Sequence, residues 1–254
     1  MDKTRFLTIF GTFEKLESVQ AVLPSVLEET MRNDARLIVH DSSVRRRDEK
    51  WSYLRDLNVN NDFFLILSDN MSMAHARNMC LQLGQEMYAP DYICMIEDDH
   101  GYRPGFIENM VFAMDRYYGE LSPNGLRYGM FTGCAEHCFP KTGKLLDGNS
   151  YPLEETPVEW IGGTNSCCRC APTQHWNNVL KGYDTDEYDI STYQTRTLKF
   201  RNYNKGFTSL FLKDGTFMFS DETSAGRGTT DESAEKLWDR DFTRSDRRSS
   251  YRRE

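Results

Sequence analysis

Short apolar runs alternate with longer amphipathic segments through the first half of this 254-residue chain. The short runs are rich in aromatic, leucine and isoleucine residues and have the length of strands, whereas the segments between them carry apolar residues three or four positions apart. Because parallel strands need crossover connections, this alternation predicts an α/β fold with a mainly parallel sheet and helices on both faces. The predicted strands are Phe6 to Phe10, Arg36 to His40, Phe63 to Leu67 and Tyr92 to Ile96.

The segments between these strands predict helices. Ser18 is a candidate N-cap for a helix whose apolar positions continue to Leu27. A second helix is predicted over 72–85, and a third begins near Pro104, a residue that suits the first helical turn. Beyond Gly133 the alternation is lost. The predicted elements there are a hairpin at 139–144, helices over 172–180 and 190–200, and a hairpin over 207–219 split at Asp214-Gly215.

An excess of acidic residues limits the classes of partner. Lys and Arg number 31 against 39 Asp and Glu, which gives a formal net charge of −8. Such a chain is a poor general binder of nucleic acid, whose phosphates require a basic surface. No apolar run approaches the roughly 20 residues that span a bilayer, so we expect no transmembrane segment. We expect a cytoplasmic protein, in which the arginine-rich end at 241–254 is the candidate for peripheral contact with a membrane.

Seven cysteines are spread through the predicted core elements, which suits reduced thiols better than disulfides. Cys134 and Cys138 have a spacing found in structural zinc sites. Cys167, Cys168 and Cys170 do not provide the usual second pair. Buried free thiols are therefore the favoured interpretation, with a structural zinc site as the alternative.

Acidic and amide side chains follow several predicted strands at their carboxyl ends. Asp41, Asp69-Asn70 and Glu97 to His100 all occupy such positions, and right-handed crossovers would gather them at one edge of the sheet. Glu97, Asp98 and Asp99 are consecutive, with the first and third facing one way and the second the other. Carboxylates crowded in this manner suit Mg²⁺ or Mn²⁺. The alternative is a solvated acidic loop before the next helix.

The order of these segments resembles that of GT-A-fold glycosyltransferases of the family 2 type, which use nucleotide sugars. The stretch 92–104 resembles the strand, DxD motif and proline of that family, with Glu97 in place of the first aspartate. The stretch 70–78 (Asn-Met-Ser-Met-Ala-His-Ala-Arg-Asn) resembles its "N-x-G-x-x-x-A-R-N" segment, with Ser72 in place of glycine. The stretch 160–165 resembles the acceptor-side glycine loop, and 186–191 resembles the acidic segment that holds the catalytic base.

The resemblance implies roles for particular residues. It implies that Asp41, Asn70, Arg77, Glu97 and Asp98 form the nucleotide-sugar site, with Asp41 contacting the base or ribose, Glu97 the ribose and Arg77 the diphosphate or the motif carboxylates. Asp99 would hold Mn²⁺ or Mg²⁺.

The same resemblance implies that Glu187 or Asp189, with Asp186 behind them, removes the proton of the acceptor hydroxyl. A single base acting in line would invert the anomeric centre. Trp160, Gly162 and Gly163 would contact the acceptor, a glycan or another hydroxyl compound. A solvated acidic run at 184–189 and a Trp160 packed in the core are the alternatives.

These implications divide a single GT-A-like domain over 1–240 into a nucleotide-binding half, about 1–133, and a smaller mixed acceptor-side half, about 134–240. The expected function is metal-dependent inverting transfer of a sugar from a nucleoside-diphosphate sugar.

Two alternatives remain open at the level of sequence. One is a nucleotidyltransferase, although Phe10 to Lys15 matches its glycine-rich loop poorly. The other is a non-catalytic nucleotide- or carbohydrate-binding module.

Overall fold

The computed structural model describes most of the first two thirds of the chain and part of the remainder. The described residues are 4–43, 46–68, 71–122, 125–134, 145–147, 151–154, 168–183, 198, 201–213 and 215–219. They belong to one compact unit that spans Met1–Phe219. The predicted hairpin at 139–144, the predicted helix at 190–200 apart from Leu198, and the basic end at 241–254 lie outside these ranges.

The strands of the described residues form one large sheet and one small one. They are β1 (Phe6–Thr12), β2 (Arg36–Asp41), β3 (Phe64–Leu67), β4 (Tyr92–Glu97), β5 (His100–Tyr102), β6 (Arg127–Cys134), β7 (Leu145–Asp147), β8 (Tyr151–Glu154), β9 (Cys168–Pro172), β10 (Phe207–Lys213) and β11 (Thr216–Met218). The large sheet has the order β3-β2-β1-β4-β9-β6-β10-β8-β7, and β11 pairs with β5. The predicted α/β class is confirmed, and the first four predicted strands correspond to β1 to β4.

The helices are α1 (Leu16–Arg32), α2 (Arg47–Asn60), α3 (Met73–Tyr88), α4 (Phe106–Tyr117) and α5 (Thr173–His175), which continues as a π-helical segment at Trp176–Leu180. The helix α1 begins before Ser18, which is buried within its first turn, so the predicted N-cap was wrong. The helix α2 was not predicted because its buried residues are only Lys50 and Leu54, and a mostly charged helix has little apolar periodicity. None of the described helices has the length and hydropathy required to cross a bilayer.

Strand direction divides the large sheet into two parts. The strands β1, β2, β3 and β4 are mutually parallel, as the sequence predicts, whereas β9 runs antiparallel to β4 and β6. The predicted hairpin at 207–219 is wrong, since β10 pairs with β6 and β8 while β11 pairs with β5. Leu210, Phe211 and Leu212 are all buried, and a strand buried on both faces requires neighbours in the sheet interior.

Alternating side chains of the parallel strands pack into two separate core layers. Phe10, Val39 and Ile96 lie on the face covered by α1 and α4. Leu7 and Ile38 lie on the face covered by α3, which approaches the sheet closely. A Cβ atom at Gly84 of α3 would collide with the side chain of Leu7 and lie 3.1 Å from Cδ1 of Ile38. A larger residue at this position would therefore need a shift of Leu7 or of α3.

The order of β1 to β4 creates a topological switch point. The chain proceeds from β1 outward to β2 and β3, and then returns to the other side of β1 to form β4. In open α/β sheets, ligands bind outside the carboxyl ends of the strands at such a point. Gly11 and Thr12 end β1 there, Asp41 ends β2 and Glu97 ends β4.

Candidate active site

The strand register separates the polar residues of this edge between the two faces of the sheet. Gly11 lies opposite both His40 and Glu97, so these three positions form one row on the α3 face. Thr12 lies opposite Asp41 in the next row, on the face of α1 and α4. Asp41 and Glu97 are therefore brought to the same edge of the sheet, but they lie on different faces.

On the α3 face, the carboxylate of Glu97 accepts hydrogen bonds from two arginines. The Nη2 atom of Arg77 lies 3.2 Å from Oε1 of Glu97, and the Nη2 atom of Arg169 lies 2.8 Å from the same oxygen. Both arginines are buried, whereas the side chain of Glu97 is 31% exposed. Burial by itself raises the pKa of Glu97, but the charges of Arg169 and Arg77 outweigh it and lower the pKa to about 2.

Each residue of the Ala-Arg-Asn segment at 76–78 of α3 makes a different contact. Ala76 is buried in the core, and the guanidinium of Arg77 lies 5.1 Å above the ring of Tyr183. Asn78 holds the backbone of Tyr183 at both groups, since its Nδ2 donates to the carbonyl at 2.8 Å and its Oδ1 accepts from the N–H at 2.7 Å. Gly11 lies beside this arginine, since a Cβ there would be in ordinary contact with Nε of Arg77 at 4.0 Å.

His40 is a further polar residue of the α3 face. It is 1% exposed, and its Nε2 atom hydrogen-bonds Oγ of Ser68 at 2.8 Å. Burial lowers the pKa of His40 to about 4, with Asp41 opposing and Arg77 adding to that shift. The imidazole is therefore neutral near pH 7 and adds no charge to the row.

On the opposite face, Asp98 holds the loop that follows β1. Its Oδ2 atom accepts from the backbone N–H of Phe13 at 2.9 Å and from Oγ1 of Thr12 at 3.2 Å, and the residue is 2% exposed. The sequence correctly places Asp98 and Glu97 on opposite faces. The carboxylate of Asp98 is directed into the protein, and its contact with a nucleotide sugar stays a prediction.

Asp41 is also directed into the protein. Its Oδ1 atom accepts from Nζ of Lys50 and from Oγ of Ser43, each at 2.8 Å, and its Oδ2 atom accepts from Nε1 of Trp51 at 2.8 Å and from the N–H of Ser43 at 3.1 Å. Both Asp41 and Lys50 have fully buried side chains. Four donors fill the acceptor positions of this carboxylate, so the predicted base or ribose contact would have to displace one of them.

Asp99 is the third acid of the triplet, and its side chain is partly exposed. Among the described residues, no arginine contacts it. It is 26% exposed, and its Oδ1 atom lies 2.5 Å from Nδ1 of His100. Its carbonyl oxygen accepts from the N–H of Phe219 at 2.8 Å, which attaches the motif to the β5–β11 pair. A single carboxylate of this kind, completed by phosphate oxygens and water, fits the way proteins bind Mg²⁺ and Mn²⁺.

The other residues of the predicted site lie outside the described ranges. They are Asn70, Trp160, Gly162, Gly163, Asp186, Glu187 and Asp189. Conversely, sequence reasoning missed Arg169 and Tyr183. A signal for Arg169 was present, since an arginine between Cys168 and Cys170 in an apolar strand requires a buried anionic partner.

Comparisons by sequence return no relative of this chain. No protein-family model matches it, and no curated protein matches it.

Solved structures give clear matches to the fold. Mannosyltransferase PcManGT from Pyrobaculum calidifontis, in complex with GDP-Man and Mn²⁺, has a TM-score of 0.53 over 84% of this chain at 12% identity. TarS from S. aureus has a TM-score of 0.59 over 85% of this chain at 11% identity. A fragment of TarS, 1–349, in complex with UDP-GlcNAc, has a TM-score of 0.57 over 91% of this chain at 10% identity. The chain has a GT-A-like fold.

This GT-A-like chain is shorter than the proteins that it resembles. It spans 55% of PcManGT, 37% of TarS and 64% of the TarS fragment. Structural matches at such low sequence identity establish the fold and not the substrate. The predicted GT-A-like architecture is confirmed, with the two-arginine contact to Glu97 at its switch point.

Proposed function

We propose that this protein is a glycosyltransferase that uses a nucleoside-diphosphate sugar and a divalent metal ion and inverts the anomeric centre. The observation that carries the proposal is the pair of buried arginines on Glu97 at the switch point. Solved structures of the same fold are named as complexes with GDP-Man and with UDP-GlcNAc, which supports a nucleotide sugar as the donor. The inverting mechanism rests on the sequence resemblance.

The charge of the arginine cluster suits a diphosphate. Arg77 and Arg169 bring two positive charges to one carboxylate, so the three groups together have a charge of +1. The leaving nucleoside diphosphate gains negative charge as the bond to the sugar breaks. Positive groups held rigidly beside those oxygens stabilise the transition state without reorganisation. In this proposal Glu97 keeps both guanidinium groups in position and Arg77 approaches the diphosphate.

Asp99 is the residue that would hold Mn²⁺ or Mg²⁺. The ion would act as a Lewis acid toward the phosphate oxygens of the leaving group. His100 fixes the orientation of the Asp99 carboxylate through the bond to Oδ1, which leaves Oδ2 as the proposed ligand atom. The pairing of β5 with β11 holds this turn against the sheet.

The acceptor side of the proposal depends on residues outside the described ranges. Glu187 or Asp189, with Asp186 behind them, would take the proton of the acceptor hydroxyl. Trp160 would stack on an acceptor ring, and Gly162 and Gly163 would allow close approach of the backbone. Asn70 remains a predicted donor contact.

Thermal shift with a panel of nucleoside diphosphates and nucleotide sugars, with and without Mn²⁺, tests donor binding. A ligand that binds the folded state raises its stability by mass action. We expect at least one nucleotide sugar to raise the melting temperature further when Mn²⁺ is present. The Asp99→Ala change should abolish that Mn²⁺-dependent part, and the change of the exposed Asp62 to Ala should not. A panel without any stabilising nucleotide would contradict the proposal.

Sugar transfer itself is tested by the variants of the proposed base. We expect Glu187→Gln or Asp189→Asn to slow transfer by at least about 100-fold while donor binding is unchanged, in keeping with the usual contribution of a general base. Transfer rates are measured with the donor that the thermal-shift panel identifies. Full activity of both variants would remove this assignment. Donor binding without any turnover in the wild type would favour the non-catalytic module instead.

A further inference from the structure

Three cysteine thiols meet in the core on the face of α1 and α4, away from the row that contains Glu97. Cys94 lies on β4, directly opposite Cys170 of β9, and Cys168 lies two residues before Cys170 on the same face. Their sulfur atoms all lie within 4.8 Å of one another, and all three residues are fully buried. The cluster Cys94, Cys168 and Cys170 is called the thiol cluster below.

The distances within the thiol cluster are close to those of a metal site. With Zn–S bonds of about 2.3 Å, sulfur atoms bound to one zinc ion lie about 3.8 to 4.0 Å apart. The observed separations need to contract by less than about 1 Å to reach that range, which changes of side-chain rotamer can provide. Thiolate sulfur selects Zn²⁺ and other soft cations over Mg²⁺ and Mn²⁺, so this cluster would not compete for the ion proposed at Asp99.

Hydrogen-bond donors point at the sulfurs from the surrounding core. The N–H of Gly133 lies 3.0 Å from Sγ of Cys168, and the hydroxyl of Tyr102 donates to Sγ of Cys94 at 3.3 Å. Gly133 permits this approach because a Cβ there would lie 2.9 Å from Sγ of Cys168. Donors of this kind stabilise thiolates and are found around the ligands of metal sites.

A lone buried thiol in the same protein behaves differently. Cys80 packs on the α3 face outside the thiol cluster, and burial raises its pKa to about 12. Within the thiol cluster the shifts are opposed: burial raises the pKa of Cys94, but hydrogen bonds from Cys168, Cys170 and Tyr102 outweigh it and lower this pKa well below its ordinary value, whereas burial and the neighbouring thiols raise the pKa of Cys170 well above it.

We infer that Cys94, Cys168 and Cys170 form a structural site for one thiophilic metal ion of the Zn²⁺ type. Binding displaces the thiol protons, up to three per ion, to solvent and forms three metal–sulfur bonds. Because the sulfurs are fully buried, the ion enters while β4 and β9 pair during folding. The site would join the strand that ends in Glu97 to the strand that carries Arg169. It would therefore stabilise the region below the proposed donor site without touching the donor.

The sequence spacing did not reveal this combination. Zinc motifs are recognised by pairs of ligands close together in the chain, and Cys94 is far from Cys168 and Cys170 in sequence. Only the antiparallel pairing of β4 with β9 brings the three together.

The test is to refold the full-length chain with a chelator or with one equivalent of Zn²⁺, and then to measure bound metal and thermal stability. We expect one Zn²⁺ per chain, a higher melting temperature with zinc, and release of protons on binding. Cys94→Ala and Cys170→Ala should each weaken zinc binding by at least about 100-fold. Cys80→Ala, a change of an equally buried cysteine on the other face, should leave zinc binding unchanged.

A second measurement does not depend on variants that fold poorly. Cadmium replaces zinc at thiolate sites, and the ¹¹³Cd chemical shift of the wild type reports the number of sulfur ligands. Three sulfurs are expected. Four would overturn the site as described and bring in Cys134, Cys138 or Cys167. Absence of tight zinc binding by the wild type, or equal weakening by Cys80→Ala, would overturn it entirely.

Discussion

The two faces of the sheet use their buried carboxylates in different ways at the same edge. On the face of α1 and α4, Asp41 and Asp98 accept hydrogen bonds from the loops that directly follow their own or the neighbouring strand. On the α3 face, Glu97 is shared by arginines from a helix and from a distant strand. The first face therefore satisfies its carboxylates mainly with groups of loops and with Lys50 of α2, whereas the second satisfies Glu97 with two arginines.

In the proposed function, this difference separates acids with a structural role from an acid that positions two arginines. Asp41 is paired with one cation and has its acceptor positions filled, which leaves a balanced pair with no net charge. Glu97 is paired with two cations, so positive charge remains at the edge. An anionic ligand is attracted to the second arrangement and not to the first. Substitutions at these positions should change stability on one face, and both stability and donor affinity on the other.

The largest loss of stability is expected for Asp41→Asn. Removing this charge leaves Lys50 buried without its partner, which costs about 3–5 kcal/mol in the free energy of unfolding. Urea denaturation measures the loss, and the double variant Asp41→Asn with Lys50→Met should recover most of it. Donor affinity of the folded fraction should change by less than about twofold. A larger loss of affinity would restore the direct nucleotide contact that the sequence resemblance implies.

Glu97→Gln should cost about 3 kcal/mol at pH 7, because the pKa falls from its ordinary value of 4.5 to about 2 on folding. Since the folded pKa is the lower one, this contribution is present above about pH 4.5 and is lost as the pH falls toward 2. Unfolding curves of the wild type and the variant should therefore converge over that range. Glu49→Gln, which weakens the exposed pair with Arg46, should leave stability nearly unchanged.

Glu97→Gln should also lower the affinity for the nucleotide sugar, because Arg77 and Arg169 lose the charge that positions them. Titration of the variant with the nucleotide sugar, at a pH and temperature where the variant is folded, separates a loss of affinity from a loss of stability. An unchanged affinity would mean that the arginine pair has a structural role alone, and that the two faces do not differ in function.

A smaller effect than at Asp41 or Glu97 is expected for Asp98→Asn. The amide keeps one acceptor for the N–H of Phe13, and only the charge of the acceptor is lost, which costs about 1–2 kcal/mol. Urea denaturation measures this loss, with Thr12→Val as the companion variant that removes the weaker of the two bonds. Loss of Mn²⁺-dependent donor binding in Asp98→Asn would show that this acid belongs to the binding site after all.

Local patterns predicted the parallel half of the fold well. The strands β1 to β4 and the helix α3 have clear apolar periods, and the polar residues that end these strands mark the edge where Glu97, Arg77 and Asp99 lie. Long-range pairing could not be read in this way. The strand β10 is separated from β11 by a turn signal, yet its partners are β6 and β8.

The roles of individual acids were harder to predict than their position. Alternation along β4 gives the face of Glu97 and Asp98, but it does not give the partners on that face. Arg169 reaches Glu97 from a strand far along the chain, and Lys50 reaches Asp41 from a helix with almost no apolar pattern. Whether all acceptor positions of a carboxylate are occupied by donors of the protein depends on such partners.

The close approach of α3 to the sheet has a consequence for the arginine at its other end. Gly84 follows Arg77 by two helical turns, so both residues lie on the side of the helix that faces β1 and β2. A Cβ atom at Gly84 would press on the side chains of Leu7 and Ile38, and a shift of α3 that relieved this contact would move the guanidinium of Arg77 relative to Glu97. The packing of Gly84 against Leu7 and Ile38 thus bears on the position of a positive charge two helical turns away.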